Sequence, residues 1–420
     1  MTARIRVRPA SPNPRSPLPC WSLTSGSLVT GWNSGKTRRS PRDRCRVLFP
    51  RASVRDVSDL HRNRVSRLQR AIDSHAADFM LIAPSADFLW ATGAHARSTE
   101  RLLALVVPRS GDPFCLVPRL ESDALAHECP WLECQPWADH ENALAMLEKR
   151  LDLERPRTLL VGEGFRVTPL LALASRATCR PAAPVIAPLR AVKDADEIRH
   201  LEEAGRHADA IVLEVAEFMR PGMTEIEVAR FAMRRFEEAG DTEPWAIAAS
   251  GPNSARPHHM STDRRLVEGD VVILDVGAYT SGYGSDITRT FWLGQPPAEA
   301  ERIYAVVDEA RRAGIEAARP GVACEAVDRA ARAVIEQAGY GESFLHRTGH
   351  GVGLEVHEPP YLTGGNPAQL EAGNVHSVEP GIYLEGRFGI RLEDLVVIES
   401  GGARRLNHAP FDPTLQRVRG

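Results

Sequence analysis

The chain has 420 residues, 43% hydrophobic and 25% charged, with a formal net charge of −3. That length suggests about two or three domains with ample buried core, and the composition excludes wholesale disorder, a collagen-like repeat and a fibrous chain. The small total hides an asymmetry: residues 1–51 hold eleven Lys+Arg and one acid, Asp43, so a leader of net +10 precedes a body of net −13, and so acidic a body argues against nucleic-acid binding.

The leader contains seven prolines and no sustained apolar period, which predicts a disordered extension over residues 1–55. Helical spacing begins with Val57, Leu60, Val65, Leu68 and Ile72, and Ser58 is the expected N-cap. Short apolar runs at 77–84, 102–108, 113–118 and 158–162 read as strands, with helical stretches at 120–127 and 141–151 between them. This predicts an α/β domain over residues 56–188. A second region, 189–420, opens with a helical stripe from Ile198 to Val215 that Pro221-Gly222 should end. Thr224 and Glu227 form a capping box for the next helix. The same grammar returns after Pro297, around Arg319-Pro320-Gly321, and the two Arg-Pro-Gly stops suggest an internal duplication.

No apolar run reaches 18 residues and no secretory h-region stands at the N-terminus, so neither a membrane span nor export is expected. The seven cysteines form no C-x-x-C pair. They read as buried thiols of a reduced, cytoplasmic protein.

Two hairpins carry the chemistry. In VVILDVGAYTSGYGSDITRTFWLG (271–294), Asp275 and Asp286 sit symmetrically about the turn and are expected to face each other across the strands. Opposed carboxylates repel unless one is protonated or a cation lies between them. In HSVEPGIYLEGRFGIRLEDLVVIES (376–400), Glu379 and Glu393 are symmetric about Gly386. Between the hairpins, HRTGHGVGLEVHEPP (346–360) supplies His350 in a glycine frame and His357 seven residues on. An imidazole beside four carboxylates suits a pair of Mn, Co, Fe or Zn ions.

With these motifs, SGPNSARPHH (250–259) and IRLED (390–394), the chain resembles the metallopeptidases of the pita-bread fold, on their proline-directed branch of Xaa-Pro dipeptidases (prolidases) and Xaa-Pro aminopeptidases. Residues 77–120 resemble the creatinase-like N-terminal domain of that branch. The resemblance implies an α/β (α+β) protein: a creatinase-like domain followed by a pseudo-symmetric catalytic domain. It implies Asp275, Asp286, His350, Glu379 and Glu393 as ligands of two divalent ions, with Mn the expected metal and Co, Zn or Fe as alternatives. Asp286 and Glu393 would bridge. Glu379 matches the acid/base, and His258 and His357 match groups that hold the substrate carbonyl. His346 matches a further active-site histidine on the substrate side, where Tyr383 and Arg391 resemble groups that orient ligands and protons. His259 stands where relatives often have Gly, so His258 is the expected substrate histidine.

The implied partners are short proline-containing peptides, with no nucleic acid or membrane, and a second copy in a homodimer. The N-terminal domain disfavours a methionine aminopeptidase. Some prolidases carry an Arg shortly after the His-Glu pair, and here the run is His357-Glu358-Pro359-Pro360-Tyr361. Arg347, Arg387 or Arg391 would have to replace it. The reading favours an Xaa-Pro dipeptidase over an Xaa-Pro aminopeptidase acting on longer peptides. The presence of all five ligands weighs against a non-catalytic binding module on the same fold.

Overall fold

A computed structural model gives the structure of residues 54–412; the basic leader and the last eight residues lie outside the described residues. The first layer is a six-stranded sheet. Its spatial order is Glu133–Trp137, Phe114–Pro118, Ala104–Pro108, Phe79–Ile82, Thr158–Val161 and Thr178–Pro181. The expected strands are all present, and so are the helices Arg119–Glu128 and Ala143–Arg150. The run Phe79–Ile82 is apolar throughout because both faces are covered. Met80 and Ile82 pack with Val65, Leu68 and Ile72 on one side, and Leu81 packs with Leu147 and Leu159 on the other.

Two expectations shift here. The first helix runs Val54–Ser74, so Ser58 lies inside it and does not cap it. The helix Ala183–Ala191 continues through Pro188. Pro184 occupies its first turn, where proline is tolerated, whereas Pro188 lies inside it; the chain next straightens at Val192 before Asp194 caps the helix Ala195–Phe218 with a capping box.

The remainder is built from two similar halves. The capping box of Thr224 and Glu227 forms as expected. After each Arg-Pro-Gly stop, a glycine N–H donates to a leucine carbonyl: Gly222 to Leu266 at 2.7 Å and Gly321 to Leu370 at 2.8 Å. Each leucine N–H returns the bond, to Met223 and to Val322. Asp270 and Asn374 then close equivalent turns by accepting from the N–H of Val267 and Glu371. Asp275 and Glu379 follow at matching distances along the two halves.

The first half forms the sheet Ile287–Trp292, Val271–Thr280, Thr242–Ser250. The second forms Glu358–Leu362, Gly349–Gly351, Val375–Val378, Asp394–Glu399, Gly402–Arg405. A ribbon, Gly381–Leu384 with Phe388–Arg391, extends the second hairpin. The strands approach closely at Gly349, where a Cβ would stand 2.0 Å from the Ser377 carbonyl oxygen. The described cysteines form no disulfide; Cys115, Cys129 and Cys324 are buried. No described helix is long and apolar enough to cross a membrane.

Candidate active site

The two hairpins meet with their acids inward. In the second, the register pairs Gly381 with Arg391 and Val375 with Val397, so Glu379 and Glu393 stand opposite about Gly386, as the symmetry of the sequence predicts. In the first, Asp275 opposes Thr288, not Asp286. The turn residues are Ser281 and Gly282, both at positive φ, with Thr280 paired to Tyr283. A type I′ hairpin turn needs positive φ at both central positions, and only this placement supplies it. Asp286 therefore lies two positions along from the residue facing Asp275, on the same face.

The carboxylates and imidazoles still converge. Ligand atoms of Asp275, Asp286 and Glu393 lie within 4.8 Å of one another, and so do those of His350, Glu379 and Glu393. Glu393 belongs to both groups. A third group joins Asp286, His350 and His357. His350 Nε2 stands 3.3 Å from Glu379 and 3.6 Å from Asp286, while its Nδ1 faces the Gly351 carbonyl oxygen at 3.2 Å. That contact favours a proton on Nδ1 and turns Nε2 toward the cluster. The His350 backbone N–H donates to Ser377 Oγ.

This donor set fits divalent metal ions. Asp275 Oδ1, Asp286 Oδ1 and Glu393 Oε1 are buried oxygens without a hydrogen-bond partner among the described residues. Buried acceptors are normally satisfied, and three orphaned carboxylate oxygens in one cluster match a cation-binding centre of oxygen and nitrogen donors. Burial pushes the Asp275, Asp286 and Glu393 carboxyls upward, and neighbouring carboxylates add to this in all three. Burial also acts upward on Glu379, but the hydrogen bond and charge of His350, with His346 and Arg391, hold it below the usual range.

The cluster opens into a cavity of about 730 Å3 whose wall includes His258, His346, His357 and Arg391. The His357 ring lies edge-on to His350, centroids 4.2 Å apart, and burial followed by the charges of His350 and Arg347 lowers its pKa to about 4. Arg391 is ion-paired with Asp275 and donates to Tyr383 Oη at 2.9 Å. His346 Nε2 meets the same hydroxyl at 2.8 Å. Tyr383 is buried, and its hydroxyl joins His346 and Arg391, which line the cavity, so it acts on the substrate side through them. His259 turns away: its Nε2 lies 3.5 Å from Glu225.

Several contributors escaped the sequence reading. Glu225 is fully buried and accepts from Ser250, Asn253 and Thr262, fixing the loop that carries His258. In sequence it is one of two acids in a helix's first turn, and no local pattern marks it. Thr288 Oγ1 donates to Glu393 at 2.8 Å. Trp245, Ile247, Tyr279 and Val356 give the cavity its apolar side.

Residues 199–400 match the model of metallopeptidase family M24, and residues 64–192 match the creatinase/prolidase N-terminal domain. A relative from Mycobacterium tuberculosis, named "Probable dipeptidase PepE", is 40% identical over 340 residues, covering 79% of this chain and 90% of the relative. The solved structure of dipeptidase PepE from Mycobacterium ulcerans matches with TM-score 0.81 at 37% identity, over 84% of this chain and 97% of that one. A prolidase from Thermococcus sibiricus matches with TM-score 0.79 at 35% identity, over 84% and 98%. The chain thus belongs to metallopeptidase family M24, with a creatinase/prolidase N-terminal domain ahead of the peptidase domain.

Proposed function

We propose that this metallopeptidase hydrolyses the Xaa-Pro bond of dipeptides, with two divalent ions, Mn foremost, held by Asp275, Asp286, His350, Glu379 and Glu393. Asp286 and Glu393 would contribute to both ion sites, Asp275 to one of them, and His350 with Glu379 to the other. When bound, such a pair supplies Lewis-acid polarisation of the scissile carbonyl and a nucleophile at neutral pH. The chain's own groups do the rest. The Glu379 carboxylate takes the proton of the attacking water and returns it to the leaving proline nitrogen. His258 and His357 hold the substrate carbonyl oxygen as charge develops on it. Arg391, fixed between Asp275 and Tyr383, keeps Asp275 aimed at the cluster.

The observation that carries the dipeptide reading is Arg347. A dipeptide presents a free carboxylate one residue beyond the scissile carbonyl, and a cation should meet it. Of the three candidate arginines, Arg391 is committed to Asp275, and Arg387 pairs with Glu299 away from the cavity. Arg347 lines the cavity, has no ion pair among the described residues, and stacks 4.5 Å from the centre of the Tyr361 ring. Tyr361 thus helps to hold a guanidinium near the His-Glu motif that itself lacks an Arg.

Kinetics on Xaa-Pro dipeptides and on Xaa-Pro-Yaa-Zaa peptides test this. The dipeptides should be the better substrates. Arg347→Met should lower their kcat/KM by about 10- to 100-fold, the loss of one charged hydrogen bond, with little effect on the longer set. Strong cleavage of only the longer peptides would replace this reading with an Xaa-Pro aminopeptidase.

A further inference from the structure

A second charged cluster lies behind the cavity wall. Arg190, in the helix Ala183–Ala191, reaches three carboxylates: Asp87 at 2.7 Å, Glu355 at 2.9 Å and Glu358 Oε2 at 2.5 Å. Lys193, on the short link that follows, places Nζ 2.8 Å from Glu358 Oε1. The Lys193 side chain is 1% exposed and that of Glu358 3%. Both oxygens of Glu358 are therefore engaged by cations in a dry setting. Buried ion pairs of this kind are weak sources of stability, because apolar residues of similar volume often serve as well. What such a cluster does supply is a fixed geometry for the chain segments that enter it.

The segment fixed here is 353–358. Glu358 Oε2 also accepts from the Glu355 backbone N–H at 3.3 Å, and Gly353 packs so close that a Cβ there would stand 2.6 Å from Glu358 Oε1. The loop is wrapped around one carboxylate. His357 is the residue before that carboxylate, and no hydrogen bond of its own side chain to the described residues holds its ring beside His350. Asp87 belongs to the helix Ala86–Thr92 of the N-terminal layer, so the cluster also ties that layer to the loop.

We infer that Arg190 and Lys193 are positioning residues for the hydrolysis: acting through Glu358, they hold the 353–358 loop so that His357 faces His350 and the substrate. This rests on the role proposed above for His357.

A double-mutant cycle tests it. Arg190→Met, His357→Ala and the double variant are compared in kcat on an Xaa-Pro dipeptide with the metal-loaded enzyme. Amide hydrogen exchange of residues 353–358 is followed in the same proteins. Arg190→Met should lower kcat at least about tenfold in the parent and less than about twofold once His357 is gone, since residues acting as a unit are not additive. Exchange should quicken in 353–358 while the strand Val271–Thr280 keeps its protection. A merely structural role would cost the same factor in both backgrounds. If Arg190→Met does not fold, Lys193→Met carries the same cycle. An impaired His357→Ala with additive losses, or unchanged loop exchange, would overturn this inference alone. A fully active His357→Ala would remove the role proposed above for His357, and the inference with it, while the choice between dipeptides and longer peptides still rests on the substrate comparison.

Discussion

Single residues set the chemistry, and two of them have separable effects. Glu379 is the carboxylate that His350 keeps ionised, at the point where the two hairpins meet. Glu379→Gln keeps the volume and removes the proton acceptor. Turnover should fall by about 10²- to 10⁴-fold while thermal unfolding stays cooperative; near-wild-type turnover with metal restored would reject Glu379 as the acid/base. His61 acts on stability instead. It is buried against Gly93, its Nδ1 donates to the Trp90 carbonyl oxygen, and burial followed by the charge of Arg64 lowers its pKa from 6.5 to about 4. The unfolded chain therefore binds a proton as pH falls through 6.5, and the folded chain does not until about 4. The stability that neutral His61 contributes is whole above pH 6.5 and shrinks as pH falls toward 4, by up to about 3 kcal/mol. Urea midpoints from pH 7 to pH 4.5 should fall less steeply in His61→Gln than in the parent, and parallel curves would refute the assignment.

At the level of strands and helices, closeness of backbone decides what the site tolerates. Gly349 leads directly into His350, and its Cβ position is already occupied by the Ser377 carbonyl oxygen. Gly349→Ala must push the strands Gly349–Gly351 and Val375–Val378 apart. Overpacking of this kind costs about 1–3 kcal/mol, and here it also moves His350 away from Glu379. Denaturation should show the loss, and metal affinity should fall with it; a variant as stable as the parent would mean that the sheet relaxes at no cost.

Elements of this kind were largely readable beforehand. Alternating apolar runs and Gly or Pro stops gave the strands and the paired Arg-Pro-Gly helices, and the symmetry about Gly386 gave the second hairpin's register. The first hairpin's register was not readable from the spacing of its acids, because it depends on which two residues of Thr280-Ser281-Gly282-Tyr283 take positive φ. The four clustered acids and His350 were legible because the motifs holding them are short. Glu225 was not, because its partners lie 25 to 37 residues away and no local period connects them. Arg190 and Lys193 escaped for the same reason, since they meet Glu358 across more than 160 residues.

For the molecule as a whole, the body's net charge of −13 is unevenly spent. Asp275, Asp286, Glu379 and Glu393 crowd into one buried cluster, where Arg391 offsets only part of the repulsion. Like charges this close in a poorly hydrated site oppose folding unless cations enter. Metal binding should therefore stabilise the fold as well as enable the chemistry. At a free metal concentration a hundred times the dissociation constant, the linkage amounts to about 2.7 kcal/mol per site. Chelation should lower Tm, and Mn should restore it in a concentration-dependent way. Asp286→Asn separates this from a general salt effect. Removing one carboxylate relieves repulsion, so the metal-free variant should melt above the metal-free parent, yet it should lose most of the rise on adding Mn because a ligand is missing. Differential scanning calorimetry on the two proteins, with and without chelator at fixed ionic strength, reads both quantities. A Tm indifferent to chelation would break the link between the acidic cluster and metal, and an undiminished rise in Asp286→Asn would remove that residue from the ligand set.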